Sequence, residues 1–120
     1  MTIALVVGRF QPLHNGHLKL LEYCENNYSA VTVVLGKSPD GRTKRNPLLV
    51  SERKQIFNTV KPSFTVCSAT EDFSGGFTQN VLKNITGSPS DYTLISHNET
   101  TINELSSTFD FEKPPIPIIC

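Results

Sequence analysis

Two short apolar runs, each closed by a glycine, limit what this chain can fold into. Ile3 to Val7 ends at Gly8, and Val31 to Leu35 ends at Gly36. Neither run alternates with polar residues as a strand with one wet face would, so each reads as a strand covered on both sides. Between them Leu18, Leu21 and Cys24, with Leu20 alongside, form a stripe at helical spacing that stops near the turn-prone Asn26 and Asn27. Strand, helix and strand in that order make a βαβ unit, and such units build parallel sheets through right-handed crossovers.

The rest of the chain continues the alternation. In "LLVSERKQIFNTV", Val50, Ile56, Phe57 and Val60 can share one helical face. Ser63 to Ser68 reads as a third strand, Phe77 to Ile85 as a third helix, Tyr92 to Ser96 as a fourth strand and residues 99–106 as a short helix. Phe109 to Ile119 reads as an extended segment that Pro114, Pro115 and Pro117 confine to a sheet edge. No repeat, low-complexity tract or linker interrupts it, so residues 1–120 are expected to be a single α/β domain.

Composition narrows the partners. Eleven basic residues balance eleven acidic ones, so net charge calls for neither nucleic acid nor an anionic membrane. No stretch approaches the roughly 18 apolar residues of a membrane span, and the opening residues read as a strand and not as a secretion leader, so a cytoplasmic location is expected. The three cysteines, Cys24, Cys67 and Cys120, are far apart and lack CxxC spacing, which disfavours a disulfide framework or a structural zinc site. Charge is nonetheless uneven: Lys37, Arg42, Lys44, Arg45, Arg53 and Lys54 fall within eighteen residues.

In parallel α/β sheets ligands bind outside the carboxyl ends of the strands. "GRFQPLHNGH" (residues 8–17) follows the first strand and "GKSPDGRTKRN" (36–46) follows the second, so both basic segments belong to that edge. Gly8 lets the chain leave the strand unobstructed, and Gly16 lets backbone approach a ligand at the helix start. Amides at that start, with the positive end of the helix dipole, suit an anion, most naturally phosphate. His14 and His17, with an unperturbed pKa of about 6.5, can donate to phosphate oxygens there. With His97, a three-histidine metal site is sterically conceivable, but the anion site is the stronger reading and no metal ligand set is assigned. GxGxxG and GxxxxGK[ST] are both absent, which disfavours an ordinary dinucleotide fold or a nucleoside triphosphatase.

"GRFQPLHNGH" closely resembles the signature of the HxGH nucleotidyltransferase superfamily, in the form found in nicotinamide mononucleotide (NMN) adenylyltransferases of archaeal and phage type. "GRTKRNPLLVSERKQIF" is similar to that family's R-[TS]-x-x-NPF-x-x-x-ER segment, and "TLISHNETTINEL" to its strand-then-SNN segment near the adenine site. The resemblance implies a Rossmann-like nucleotidyltransferase fold with five parallel strands in the order 3-2-1-4-5, flanked by helices. It implies adenylyl transfer: the phosphate of a mononucleotide, NMN foremost, attacks the α-phosphate of ATP to give a dinucleotide, here NAD, and pyrophosphate. By that carry-over His14, His17 and Arg9 are the catalytic set. Gly8, Phe10, Gly16, Lys44, Arg45, Asn46, Arg53, Ser96, His97 and Asn98 join them around the nucleotide. Asn46 faces the mononucleotide, and Arg53 either braces the site or binds phosphate. Mg²⁺ would enter on the ATP phosphates, and a second copy of the chain is a candidate partner because the family often assembles into oligomers.

The sequence departs from the family at two points. The ISGTxIR motif, whose arginine holds triphosphate, has as its nearest counterpart "LSSTFDF" (105–111), with Phe111 at the arginine position. The better alignment implies a short form ending ahead of that motif, with Lys44 and Arg45 as candidate substitutes. Tryptophan, which usually stacks on the pyridine ring, is absent; Phe77 either takes that role or is a core residue at a helix start. Alternatives to NMN adenylyl transfer are a cytidylyltransferase, another adenylyltransferase such as one acting on phosphopantetheine, or a catalytically weakened nucleotide-binding protein that keeps HNGH as an anion site.

Overall fold

A computed structural model of the chain describes residues 2–10, 15–37, 48–70 and 76–115. Five strands form one parallel sheet: β1 (Ile3–Gly8), β2 (Ala30–Lys37), β3 (Thr65–Thr70), β4 (Tyr92–Ile95) and β5 (Asp110–Glu112). Their order is β3-β2-β1-β4-β5, the expected one. Helices α1 (Asn15–Asn27), α2 (Val50–Val60), α3 (Phe77–Asn84) and α4 (Glu99–Leu105) fall between successive strands. None of the described helices is long and apolar enough to cross a membrane.

The unbroken apolar run of β1 is split by its own pleat. Ala4 and Val6 belong to a core with Leu20, Leu21 and Cys24 of α1 and Phe57 of α2, whereas Leu5 belongs to a second core with Val81 of α3 and Ile102 and Leu105 of α4. Helices α1 and α2 therefore cover one face and α3 and α4 the other. Order reverses at β1, which pairs with β2 on one side and β4 on the other. This reversal opens the crevice where such sheets take ligands.

Several expected details differ. Strand β3 starts and ends two residues later than Ser63 to Ser68, because its hydrogen-bonding register with β2 runs from Thr65 to Thr70. On α2 the buried residues are Arg53 and Phe57; Val60 is 43% exposed, and Val50 and Ile56 are only partly covered. The apolar stripe did not set the rotation of this helix; a buried arginine did. In the described part of the proline-rich segment Asp110–Glu112 pairs, as the expected edge strand, and residues 116–120 lie outside the described ones.

That edge is anchored to α1 by a carboxylate. Tyr23 donates its hydroxyl to Glu112 Oε2 at 2.9 Å, and Tyr28 donates to Oε1 of the same side chain. Next to this group the Cys24 thiol is fully buried, and desolvation, aided by the charges of Glu112 and Glu25, pushes its pKa from 9.0 up to about 12. Tyr28 is likewise raised from 10.0, by desolvation and then by its hydrogen bond to Glu112. Because these folded-state values lie above the unfolded ones, their stabilisation is complete below pH 9 and is lost as pH rises toward 12. Urea unfolding followed by circular dichroism should show stability falling through that window by about 1.4 kcal/mol per pH unit per titrating group, with a shallower fall in Cys24→Ala.

Candidate active site

Gly8, Arg9 and Phe10 leave β1 at its carboxyl end, and their conformation is unusual. Phe10 has φ +49°, the left-handed region that bulky residues rarely occupy. Its ring folds back over Gly8, where a Cβ would meet Phe10 Cε2 at 2.9 Å. Gly8 is thus needed for this close approach as well as for the turn. The ring is 7% exposed and meets Phe57 of α2 edge-to-face at 5.2 Å between centroids. On another side it meets His17 at 4.7 Å with an interplanar angle of 70°.

His17 stands in the first turn of α1 and is half-buried, beside Gly16. First-turn amides of a helix have no intrahelical acceptor and point toward its N-terminal end, adding to the positive potential there. The imidazole, these amides and the half-buried Arg9 therefore share the corner between β1 and α1.

Arg53 ties the corner to its neighbour. It is 3% exposed, and its Nη1 donates to the carbonyl of Arg9 at 2.7 Å and to that of Gly36 at 2.9 Å. Gly36 is near the end of β2, so one guanidinium nitrogen bridges the chain leaving β1 and the last turn of backbone in β2. Of the two roles open to Arg53 in the sequence, this geometry is that of a brace. Helix α2 is itself started by Glu52, whose carboxylate accepts the Leu49 amide at 2.8 Å. Phe57, four residues after Arg53 and so on the same face, was missed as a site residue; the signal was that i, i+4 spacing.

On the other side of β1, the pairing with β4 ends at Leu5↔Leu94, and Ser96, His97 and Asn98 follow β4 at the same carboxyl end of the sheet. Ser96 is buried, and its Oγ accepts the Asn98 amide at 3.0 Å; Asn98 in turn caps α4 by accepting from the Thr101 amide at 3.2 Å. The His97 ring is committed elsewhere: its Nε2 donates to the Pro114 carbonyl at 2.6 Å, tying the β4 exit to the segment after β5. Among the described residues no group of three His, Cys, Asp or Glu is arranged to hold a metal ion. Phe77 is 8% exposed and packs in the second core with Val81 and Ala69, so its ring is spent on packing at the start of α3 and offers little face for stacking. His14, Lys44, Arg45 and Asn46 lie outside the described residues.

A doubly wound, Rossmann-like α/β domain with an imidazole and a helix N-terminus at the exit of its central strand is the class that this fold and site define. A model of the Cytidylyltransferase-like family matches residues 5–85, and the chain belongs to that family. Its sequence is also similar to nicotinamide-nucleotide adenylyltransferases of archaea. It is 46% identical to that of Thermococcus sibiricus over 52 residues, covering 43% of this chain and 28% of the relative. With that of Sulfurisphaera tokodaii it shares 40% over 63 residues, covering 52% and 37%. The matched stretches thus span well under half the length of these relatives. Among solved structures, a bifunctional NMN adenylyltransferase/ADP ribose pyrophosphatase from Francisella tularensis superposes over 92% of this chain and 36% of its own, with TM-score 0.73 at 20% identity. The NadR protein in complex with NAD and AMP-PNP superposes equally well, with TM-score 0.73 at 16% identity, over 92% of this chain and 37% of its own. These structures share the fold.

If Arg53 is the brace, removing it strips a donor from two carbonyls held at the sheet edge. Arg53→Ala is expected to lose about 2–4 kcal/mol in urea denaturation. Arg53→Lys should recover only part of that, because a single ammonium on a flexible stem is less well preorganised than the guanidinium fork.

Proposed function

We propose that this domain transfers an adenylyl group from ATP to a mononucleotide, with NMN as the preferred acceptor and NAD and pyrophosphate as products. The observation that carries this reading is the His17 imidazole packed against Phe10 in the first turn of α1, at the exit of the sheet's central strand. The family membership and the names of the archaeal relatives support it.

The chemistry asks little covalently of the protein. A phosphate oxygen of the mononucleotide attacks the α-phosphorus of ATP, the bond from that phosphorus to the α,β-bridging oxygen breaks, and pyrophosphate leaves with the electron pair. Positioning two polyanions in line and stabilising the charge that shifts between them account for the acceleration. His17 would donate to the α-phosphate and leaving group, and Arg9 and the α1 amides would hold phosphate. His14, Lys44, Arg45 and Asn46 complete the proposed set from their places in the sequence, and Ser96 to Asn98 would border the adenine. The described corner offers donors and positive charge, which suit phosphate oxygens and not a cation. Mg²⁺ would therefore be carried by the triphosphate, whose charge it partly neutralises.

Purified protein given MgATP and NMN should form NAD and pyrophosphate in equal amounts. His17→Ala should lower kcat by about 10²–10³-fold while leaving the far-ultraviolet circular dichroism unchanged. Turnover with CTP but not ATP would move the assignment to cytidylyl transfer. ATP binding without turnover of any mononucleotide would make the domain a binding protein.

A further inference from the structure

We infer that Phe10 is the positioning residue that aims the His17 imidazole, and that Arg53 holds Phe10 in the backbone conformation this requires. The inference rests on the adenylyl-transfer reading for its consequence in turnover, but the contact itself can be tested without it.

A phenylalanine at φ +49° persists only where its surroundings over-determine it, and it is the one non-glycine residue in that region among the described residues. Three restraints meet on it. The carbonyl immediately before its amide is held by Arg53 Nη1 at 2.7 Å. The missing side chain of Gly8 leaves the space into which the ring turns back. Phe57 closes the ring from the α2 side. The ring also meets His17 edge-on at 4.7 Å.

Phe10 is buried, at 7% exposure for the whole residue, which leaves its ring little room to stack on a base. Its effect is on rotation. A ring packed against one side of an imidazole in the first turn of a helix restricts its rotation about χ1 and χ2. Because a misplacement of about 1 Å in a reacting group can cost 10²-fold in rate, fixing the imidazole acts on the chemical step more than on binding.

Phe10→Leu, which keeps apolar bulk but removes the ring, should lower kcat by about 10- to 100-fold and leave the KM for ATP within about threefold. In a His17→Ala background the same change should cost less than about twofold, since the group it positions is gone. Equal losses in both backgrounds, or a raised KM at unchanged kcat, would overturn the inference. In the wild-type protein, proton NMR should show nuclear Overhauser contacts between the Phe10 ring and the imidazole C–H protons of His17, together with a ring-current shift that disappears in Phe10→Leu. That measurement needs no turnover: absent contacts defeat the inference even in an active enzyme. Present contacts in a protein that makes no NAD defeat only the proposed reaction.

Discussion

A single buried guanidinium governs the functional edge of this protein. Arg53 is taken out of water by α2 and gives one nitrogen to two backbone carbonyls, those of Arg9 and Gly36, on the chain that continues β1 and on β2. Burying a charge is costly unless hydrogen bonds replace its hydration, and backbone carbonyls near the ends of strands can supply them. Nη1 meets that need, while Nε stays buried without a hydrogen-bond partner among the described residues, and the two bonds fix where the backbone turns after β1. The strained Phe10, and through it the orientation of His17, follow from that turn.

The layers around this edge explain why it can be held rigidly. The pleat of β1 distributes one apolar run between two cores, with a helix pair on each side, so the central strand is clamped from both faces. The far edge is secured differently, by two tyrosine hydroxyls of the α1 region converging on Glu112 of the three-residue strand β5. Helix α1 is therefore engaged at both ends. Its first turn carries His17 against Phe10, while its last turns are tied through Tyr23 to the strand next to β4.

Under the proposed function, recognition at the corner would rest mainly on amides, an imidazole and a dipole, which respond to phosphate and not to a particular base. The same scaffold can thus serve different nucleotides, consistent with a family named for cytidylyl chemistry whose archaeal relatives of this chain are named for adenylyl transfer to a nicotinamide nucleotide. At the β4 exit, Ser96, His97 and Asn98 are each hydrogen-bonded to neighbouring backbone, which gives that segment a fixed shape.

The strand order was implied by the resemblance to the nucleotidyltransferase family, whereas the strand-helix alternation and the glycine-marked exit from the first strand were readable from the chain itself. They depend on local patterns: β-branched runs, a stripe of period 3.6, and glycines where backbone must turn. Rotation and register were not readable, because they are settled by contacts between distant residues. The apolar spacing of α2 pointed to Val50, Ile56, Phe57 and Val60, yet Arg53 faces inward because its acceptors lie 44 and 17 residues away in sequence. Phe77 was equally compatible with stacking or packing until α3 and α4 closed over it, and nothing local to Phe10 announces a left-handed backbone. Sequence by itself determined which groups stand at the strand ends; only the tertiary structure decided which of them support and which are supported, since a brace exists only once its two ends are brought together.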